Sequence, residues 1–119
     1  MDKFEIQKRA MKLALEIIKL TKLFSISQES KVITYQVIKS STSTAANYRA
    51  ASRAKSSKDF IAKLCIAEEE CDETIFWLEM ISEAMLVSVE KIQPLKQEAS
   101  EILAIIVSSI KTAKNNLTK

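Results

Sequence analysis

The sequence predicts an all-α protein folded as an antiparallel, up-down-up-down four-helix bundle. Three observations support this fold class. First, the 119 residues include no glycine and one proline, so tight hairpins and sheet bulges are hard to build. Second, Ala, Leu, Ile, Lys, Glu and Ser are abundant, a mixture compatible with helices. Third, apolar residues recur at helical spacing in four segments, within a length that fits a single domain, residues 1–119.

The first predicted helix spans residues 3–24. Apolar residues at steps of three and four mark the face expected to be buried, namely Ile6, Ala10, Leu13, Ile17, Leu20 and Phe24. A second apolar stripe lies beside the first and comprises Phe4, Met11, Leu15 and Ile18. Ser25 and Ser27 follow the helix and can cap what comes next.

The second predicted helix spans residues 28–54, apolar in its first half and composed of small residues in its second. One face of small residues is expected to let another helix approach closely, and it consists of Ser40, Ser43, Ala46, Asn47, Ala50 and Ala54. Asn47 would then need a hydrogen-bond partner, because a buried amide without one costs about 1–3 kcal/mol.

The third and fourth predicted helices span residues 57–87 and 92–114. Ser56 and Asp59 have the spacing of a capping box at the start of the third helix. The core stripe of that helix is predicted to be Phe60, Leu64, Ala67, Cys71, Ile75, Leu78 and Met85. Pro94 is expected in the first turn of the fourth helix, where its missing N–H costs little.

The apolar stripes are wider than one bundle core needs. The first helix carries two of them, and the fourth is apolar nearly all round from Ile102 to Val107. This surplus predicts a homo-oligomer, and the alternative is a monomer with loose patterning.

Three motifs resemble those of the four-helix bundle proteins encoded in 23S ribosomal RNA intervening sequences. They are KSSTSTAANYR at residues 39–49, SRAKSSKDF at 52–60 and EECDETIFWLE at 69–79. The signature residues in them are Ser43, Asn47, Tyr48, Ser56, Asp59, Phe60, Glu69, Glu73 and Trp77. The resemblance implies a ring-shaped homopentamer, with nucleic-acid binding as the usual functional inference. A related fold, the accessory protein of diversity-generating retroelements, works with a reverse transcriptase and nucleic acid.

Charge is segregated along the chain, with a net charge of +8 in residues 1–63 and −5 in residues 64–119. A basic cluster surrounds the end of the second helix and the start of the third, and it comprises Lys39, Arg49, Arg53, Lys55, Lys58 and Lys63. Such a cluster predicts binding of RNA or DNA phosphates, directed at the backbone and without sequence preference. Phe76 and Trp77 are expected to pack in a core or interface and not to stack on bases.

Two alternatives to phosphate binding stay open. Arg49 and Arg53 could neutralise Glu69, Glu70 or Glu73, within one chain or across an interface. The protein could also be a scaffold or accessory subunit that binds a protein partner and makes no contact with nucleic acid.

The sequence argues against an enzyme. It has no histidine for a Ser-His or Cys-His pair and no glycine for a phosphate-binding loop. Cys65 and Cys71 are expected to be reduced, packed thiols, so neither a metal site nor a cofactor is predicted. The charged N-terminal segment and the short apolar runs predict neither a signal peptide nor a membrane span, and a cytoplasmic location is expected.

Overall fold

The computed structural model describes residues 2–118 and shows four α-helices in that range. Their bounds are α1 Lys3–Thr21, α2 Gln28–Ser52, α3 Ser57–Glu83 and α4 Val89–Leu117. The prediction of an all-α four-helix bundle is confirmed. The outermost positions of the predicted domain, 1 and 119, lie outside the described residues.

The four helices form a rod of 52 × 22 × 20 Å in which α1 and α3 are diagonal partners. α2 and α4 each lie between α1 and α3 and pack against both. The start of α1 lies beside the end of α2, where the Gln7 amide donates to Ser52 Oγ at 2.8 Å. The start of α3 lies beside the end of α4, where Phe60 shares a cleft with Thr112. We call this end of the rod, where α1 begins, α2 passes into α3 and α4 ends, the junction end.

Branched aliphatic side chains fill the centre of the rod, and the largest of them are Ile6, Ile17, Val37, Leu64, Leu78, Ile81, Ile92, Ile102 and Ile106. Between α2 and α3 the core contains hydroxyl groups, and Thr74 Oγ1 lies 2.9 Å from Ser40 Oγ. Ser40 Oγ donates to the Val37 carbonyl, and the one hydroxyl proton of Thr74 is shared between Ser40 Oγ and the Glu70 carbonyl. Small side chains at this contact allow α2 and α3 to approach closely, and hydrogen bonds offset the cost of burying the hydroxyls.

Serine caps start α2 and α3. Ser27 accepts from the Ser30 N–H at 3.0 Å, and Ser30 Oγ accepts from the Ser27 N–H at 2.9 Å. Ser56 caps α3 as predicted and accepts from the Asp59 N–H at 3.1 Å. The return bond differs from a standard capping box, because the Asp59 carboxylate accepts from Lys55 N–H, one residue before the cap.

α3 ends four residues before the predicted position, and the backbone explains why. Met85 has a φ of 56°, in the left-handed region that glycine favours at the ends of helices. The Leu86 N–H bonds to the Ile81 carbonyl and the Met85 N–H bonds to the Ser82 carbonyl, which is the Schellman arrangement. The predicted place of Met85 in the core stripe is therefore wrong, since its side chain is 84% exposed.

α4 starts three residues before the predicted position, with Ser88 as its N-cap. Pro94 consequently lies in the second turn and not, as predicted, in the first. There its missing N–H leaves the Glu90 carbonyl without the usual helical donor. α1 ends earlier than predicted, because Lys22, Leu23 and Phe24 form tighter turns with hydrogen bonds to the third residue before each.

The buried face of α2 is rotated relative to the prediction. Ser40 is buried as expected, but Ala46 is exposed, and Ser43, Asn47, Ala50 and Ala54 are only partly buried. The buried residues of the second half are Ser40, Ser41, Thr44, Tyr48 and Ala51. Both sets have helical spacing and consist of small residues, apart from Tyr48 in the buried set and Asn47 in the predicted one, so the spacing alone does not distinguish them.

Candidate nucleic-acid interface

Five of the six residues of the predicted basic cluster lie at the junction end. Arg49 is in the last turn of α2, Arg53 caps that helix, and Lys55 lies in the connection. Lys58 is in the first turn of α3 and Lys63 in the second. The sixth, Lys39, lies in the middle of α2, about 21 Å along the helix axis from Arg53 at 1.5 Å per residue. The structure therefore does not bring Lys39 to the others.

Asp59 forms an ion pair with one of the junction cations, Lys63, and with none of the others. Its carboxylate accepts from Lys63 Nζ at 2.7 Å, and this bond, with that from the Lys55 N–H, lowers the pKa of Asp59. Lys63 is thus neutralised within its own helix. Within residues 2–118, Arg49, Arg53, Lys55 and Lys58 take part in no ion pair.

Pairing of Arg49 or Arg53 with the acidic block inside one chain does not occur in the structure. Arg49 lines the outer face of α1 and α2, whereas Glu69 and Glu73 are exposed on α3. If these arginines pair with the acidic block at all, they do so across an interface between two chains. Burial, and after it the neighbouring charge of Glu73, raises the pKa of Glu70. The charge of Lys39 opposes this shift.

The topology adds cations that sequence reasoning missed. α4 ends at the junction end, so Lys111 and Lys114 in its last turns join the cations of α2 and α3 there. Lys3 starts α1 at the same end. These residues are distant in sequence from the predicted cluster, and only the antiparallel arrangement of α1 and α4 brings them to it. We call Arg53, Lys55, Lys58, Lys111 and Lys114 the basic end.

An open groove of about 550 Å³ runs between α1 and α2 on the outside of the bundle. Its walls include Phe4, Met11 and Leu15, which are 62%, 51% and 52% exposed. Its α2 side includes the small residues Thr42, Ala45 and Ala46. Among residues 2–118, three cations and no carboxylate line it, and the cations are Lys8, Arg49 and Arg53. The second apolar stripe of α1, surplus to one core, therefore forms a surface feature.

The remaining signature residues have mainly structural contacts. Asn47 donates to the Ser43 carbonyl at 2.9 Å and to Ser43 Oγ at 3.1 Å, which satisfies the predicted need for a partner. Tyr48 is buried, which raises the pKa of its hydroxyl. Trp77 packs against the core, meets Phe76 edge to face, and places Nε1 3.5 Å from the Glu73 carboxylate.

An ionic contact between α1 and α4 was also missed by sequence reasoning. Arg9 donates through Nε to Glu98 at 2.8 Å and through Nη2 to Glu101 at 3.0 Å. The hydrogen bonds to Glu98 raise the pKa of Arg9, and those from Gln97 and Arg9 lower the pKa of Glu101. The ionic contact of Arg9 with Glu98 and Glu101 links α1 to α4 at a position away from the groove.

The acidic and thiol groups offer little reactive chemistry in this arrangement. Cys65 and Cys71 are free thiols, and burial raises the pKa of Cys71 to about 12. Cys71 Sγ donates to the Ala99 carbonyl at 3.4 Å. Across residues 2–118, no cluster of His, Cys, Asp and Glu side chains is grouped to bind a metal ion. In the same range, no helix has the length and apolar character required to cross a membrane.

These features define a class of protein, a small four-helix bundle with a basic end and an apolar groove. The family model described as "23S rRNA-intervening sequence protein" matches residues 2–108, and the chain belongs to this family. The chain is also similar to a crystal structure of a protein with unknown function from the S23 ribosomal protein family of Bacteroides thetaiotaomicron VPI-5482. That likeness has a TM-score of 0.82 and 33% identity, over 89% of this chain and 98% of the other. No curated protein matches the chain. The predicted family is confirmed, and neither description names an enzymatic activity.

Proposed function

We propose that the protein is a non-enzymatic homo-oligomer, pentameric by its family resemblance, that binds the phosphates of RNA or DNA at its basic end. The observation that carries this proposal is a group of cations at one end of the rod that form no ion pair with any other residue from 2 to 118. Arg53, Lys55 and Lys58 from the α2–α3 junction lie at the same end as Lys111 and Lys114 from α4. The family description, which names an intervening sequence of 23S rRNA, supports a nucleic acid as the partner.

The chemistry of the basic end favours backbone contacts. Four of its five cations are lysines, which act as flexible point charges and can meet phosphates in many arrangements. Phosphate contacts give affinity and salt dependence, whereas sequence is read at base edges. We therefore propose non-specific binding, which an oligomer strengthens by presenting several basic ends to one polyanion. The proposal includes a cytoplasmic location, because the protein would meet its RNA or DNA partner there.

Fluorescence anisotropy with labelled RNA and DNA oligonucleotides of equal length tests this function. Wild-type protein is expected to bind at low salt and to release the oligonucleotide as salt is raised. The double variant Lys55→Glu/Lys58→Glu is expected to lose binding. The double variant Lys12→Glu/Lys91→Glu carries the same change of charge at exposed positions outside the basic end and is expected to bind nearly as wild type does. Absence of binding by the wild-type protein at low salt would contradict the proposal.

The groove between α1 and α2 favours a second candidate, a scaffold or accessory subunit that binds a protein. A groove with exposed Phe4, Met11 and Leu15 is the kind of apolar surface that proteins cover with a partner. In this case a protein should co-purify and survive nuclease treatment, and the variant Lys55→Glu/Lys58→Glu should retain it. Loss of the partner after nuclease treatment would favour the first candidate.

A further inference from the structure

The outer side of α3 carries a regular exposed stripe. Its members recur at steps of three and four residues and are Ile66, Glu69, Glu73, Phe76 and Met80. Ile66, Phe76 and Met80 are 44%, 49% and 37% exposed. Neither Glu69 nor Glu73 takes part in an ion pair with any residue from 2 to 118, and Glu73 accepts a hydrogen bond from Trp77 Nε1 on its own helix. We call these five residues the α3 stripe.

The α3 stripe and the α1/α2 groove are complementary in chemistry. The groove has apolar walls and small residues on α2, and the charged residues that line it within residues 2–118 are all positive, namely Lys8, Arg49 and Arg53. The stripe has projecting apolar side chains and only negative charge. A second groove could not supply the missing carboxylates, so two grooves facing each other would leave their charges without partners.

We propose that the groove of one copy receives the α3 stripe of a second copy, with Arg49 paired to Glu69 across the contact. This inference deepens the self-association in the proposed function and does not depend on nucleic acid. It identifies the two surfaces, their orientation and one diagnostic ion pair.

The two surfaces can be used at the same time by one copy. α3 lies diagonally across the bundle from α1, and the stripe is on the side of α3 opposite its buried face. The groove and the stripe therefore point in different directions. A contact between two different surfaces joins copies head to tail, and such contacts close into a ring when the rotation between copies allows it.

The hydrogen bond between Ser40 and Thr74 sets the register of this contact. In a ring whose axis runs along the helices, neighbouring copies touch at equal heights, and this bond places Ser40 and Thr74 at one height. Because α2 and α3 are antiparallel, each step forward along α2 corresponds to one step back along α3. Arg49, nine residues after Ser40, therefore lies at the height of residue 65, nine residues before Thr74. Glu69 is four residues from that height, about 6 Å at 1.5 Å per residue. Side chains lean towards the N-terminus of their own helix, so Arg49 and Glu69 lean towards each other.

The same counting brings apolar residues together at the other end of the contact. Tyr35, which is 63% exposed on α2, comes level with residue 79, next to Met80 of the stripe. Apolar side chains thus meet at one end and opposite charges at the other. A ring in this register also places every junction end on one side, where the basic ends of all copies can face a polyanion.

Charge exchange tests the inference, with light scattering after size-exclusion chromatography and sedimentation as the readouts. Arg49→Glu and Glu69→Arg should each weaken self-association by roughly a hundredfold, because each brings like charges together. The double variant Arg49→Glu/Glu69→Arg should restore the wild-type mass. Lys91→Glu, an exposed change on α4, should have no effect.

Several outcomes would overturn the inference. They are an unchanged mass for either single variant, failure of the double variant to reassemble, and a wild-type monomer. Anisotropy on the same samples separates this failure from failure of nucleic-acid binding, since the wild-type protein can bind RNA or DNA whether or not these surfaces meet. Should charge reversal unfold the chain, Met80→Glu should dissociate the assembly, whereas Met85→Glu, outside the stripe, should not.

Discussion

Neutralising Lys55 and Lys58 should make nucleic-acid binding both weaker and less dependent on salt. Neither lysine is engaged in an ion pair with residues 2–118, so both charges are available to phosphates. Each lost phosphate contact reduces the slope of log affinity against log salt by about 0.9 for duplex and about 0.7 for single strands. The variant Lys55→Gln/Lys58→Gln should therefore have a slope shallower by about 1.8 on duplex for each copy that contacts it.

The assay is anisotropy at salt concentrations from about 50 to 200 mM. Over this range a slope difference of about 1.8 shrinks the affinity gap between wild type and variant about tenfold. Lys12→Gln/Lys91→Gln is the matched control and should keep the wild-type slope. Equal slopes for the wild type and the Lys55/Lys58 variant would refute the assignment of phosphate contacts to the junction. An equal reduction in the control would show that net charge, and not the basic end, determines binding.

Three further predictions concern the stability of the bundle. Met85→Gly should raise the free energy of unfolding by about 1 kcal/mol in urea titrations, because glycine adopts the left-handed backbone of this helix end without strain. Arg9→Ala should lower it by about 2 kcal/mol, because it removes charged hydrogen bonds between α1 and α4. Urea titrations at falling pH should show opposite trends for two carboxylates. Wild type should lose stability relative to Asp59→Asn as pH falls through the lowered pKa of Asp59, and gain stability relative to Glu70→Gln as pH falls through the raised pKa of Glu70.

Each of these predictions has an outcome that contradicts it. A destabilised Met85→Gly would mean that the methionine side chain contributes more than its backbone costs. Lys12→Ala, an exposed change on α1, is the control for Arg9→Ala, and equal effects of the two would deny the contact with α4 any importance. Parallel pH trends for Asp59→Asn and Glu70→Gln would contradict the opposite signs of the two pKa shifts.

Helix number, type and order could be predicted from the sequence because the apolar spacing is local information. The cap at Ser56 was predictable for the same reason, since a serine three residues before a carboxylate is a local signal. The end of α3 was not, because the chain uses Met85 where glycine would mark the turn. The start of α4 was also misplaced, since the proline rule favours the first turn and the structure accepts Pro94 in the second.

The candidate site was predictable only in part for a similar reason. Cations close together in sequence, such as Lys55 and Lys58, necessarily lie close together in space. Lys111 and Lys114 reach the same end through the topology, and Lys39 is carried away from it by the length of α2. Which face of α2 is buried depends on how α1 and α3 pack against it. That packing distinguishes buried Ser41 from partly buried Ser43, although the two residues are identical.

Self-association is the central claim, and the absolute mass of the purified protein in solution tests it most directly. Multi-angle light scattering at micromolar concentration should give a multiple of the 13.4 kDa chain mass, and five times that mass if the family resemblance extends to the assembly. A folded species of 13.4 kDa would contradict the account.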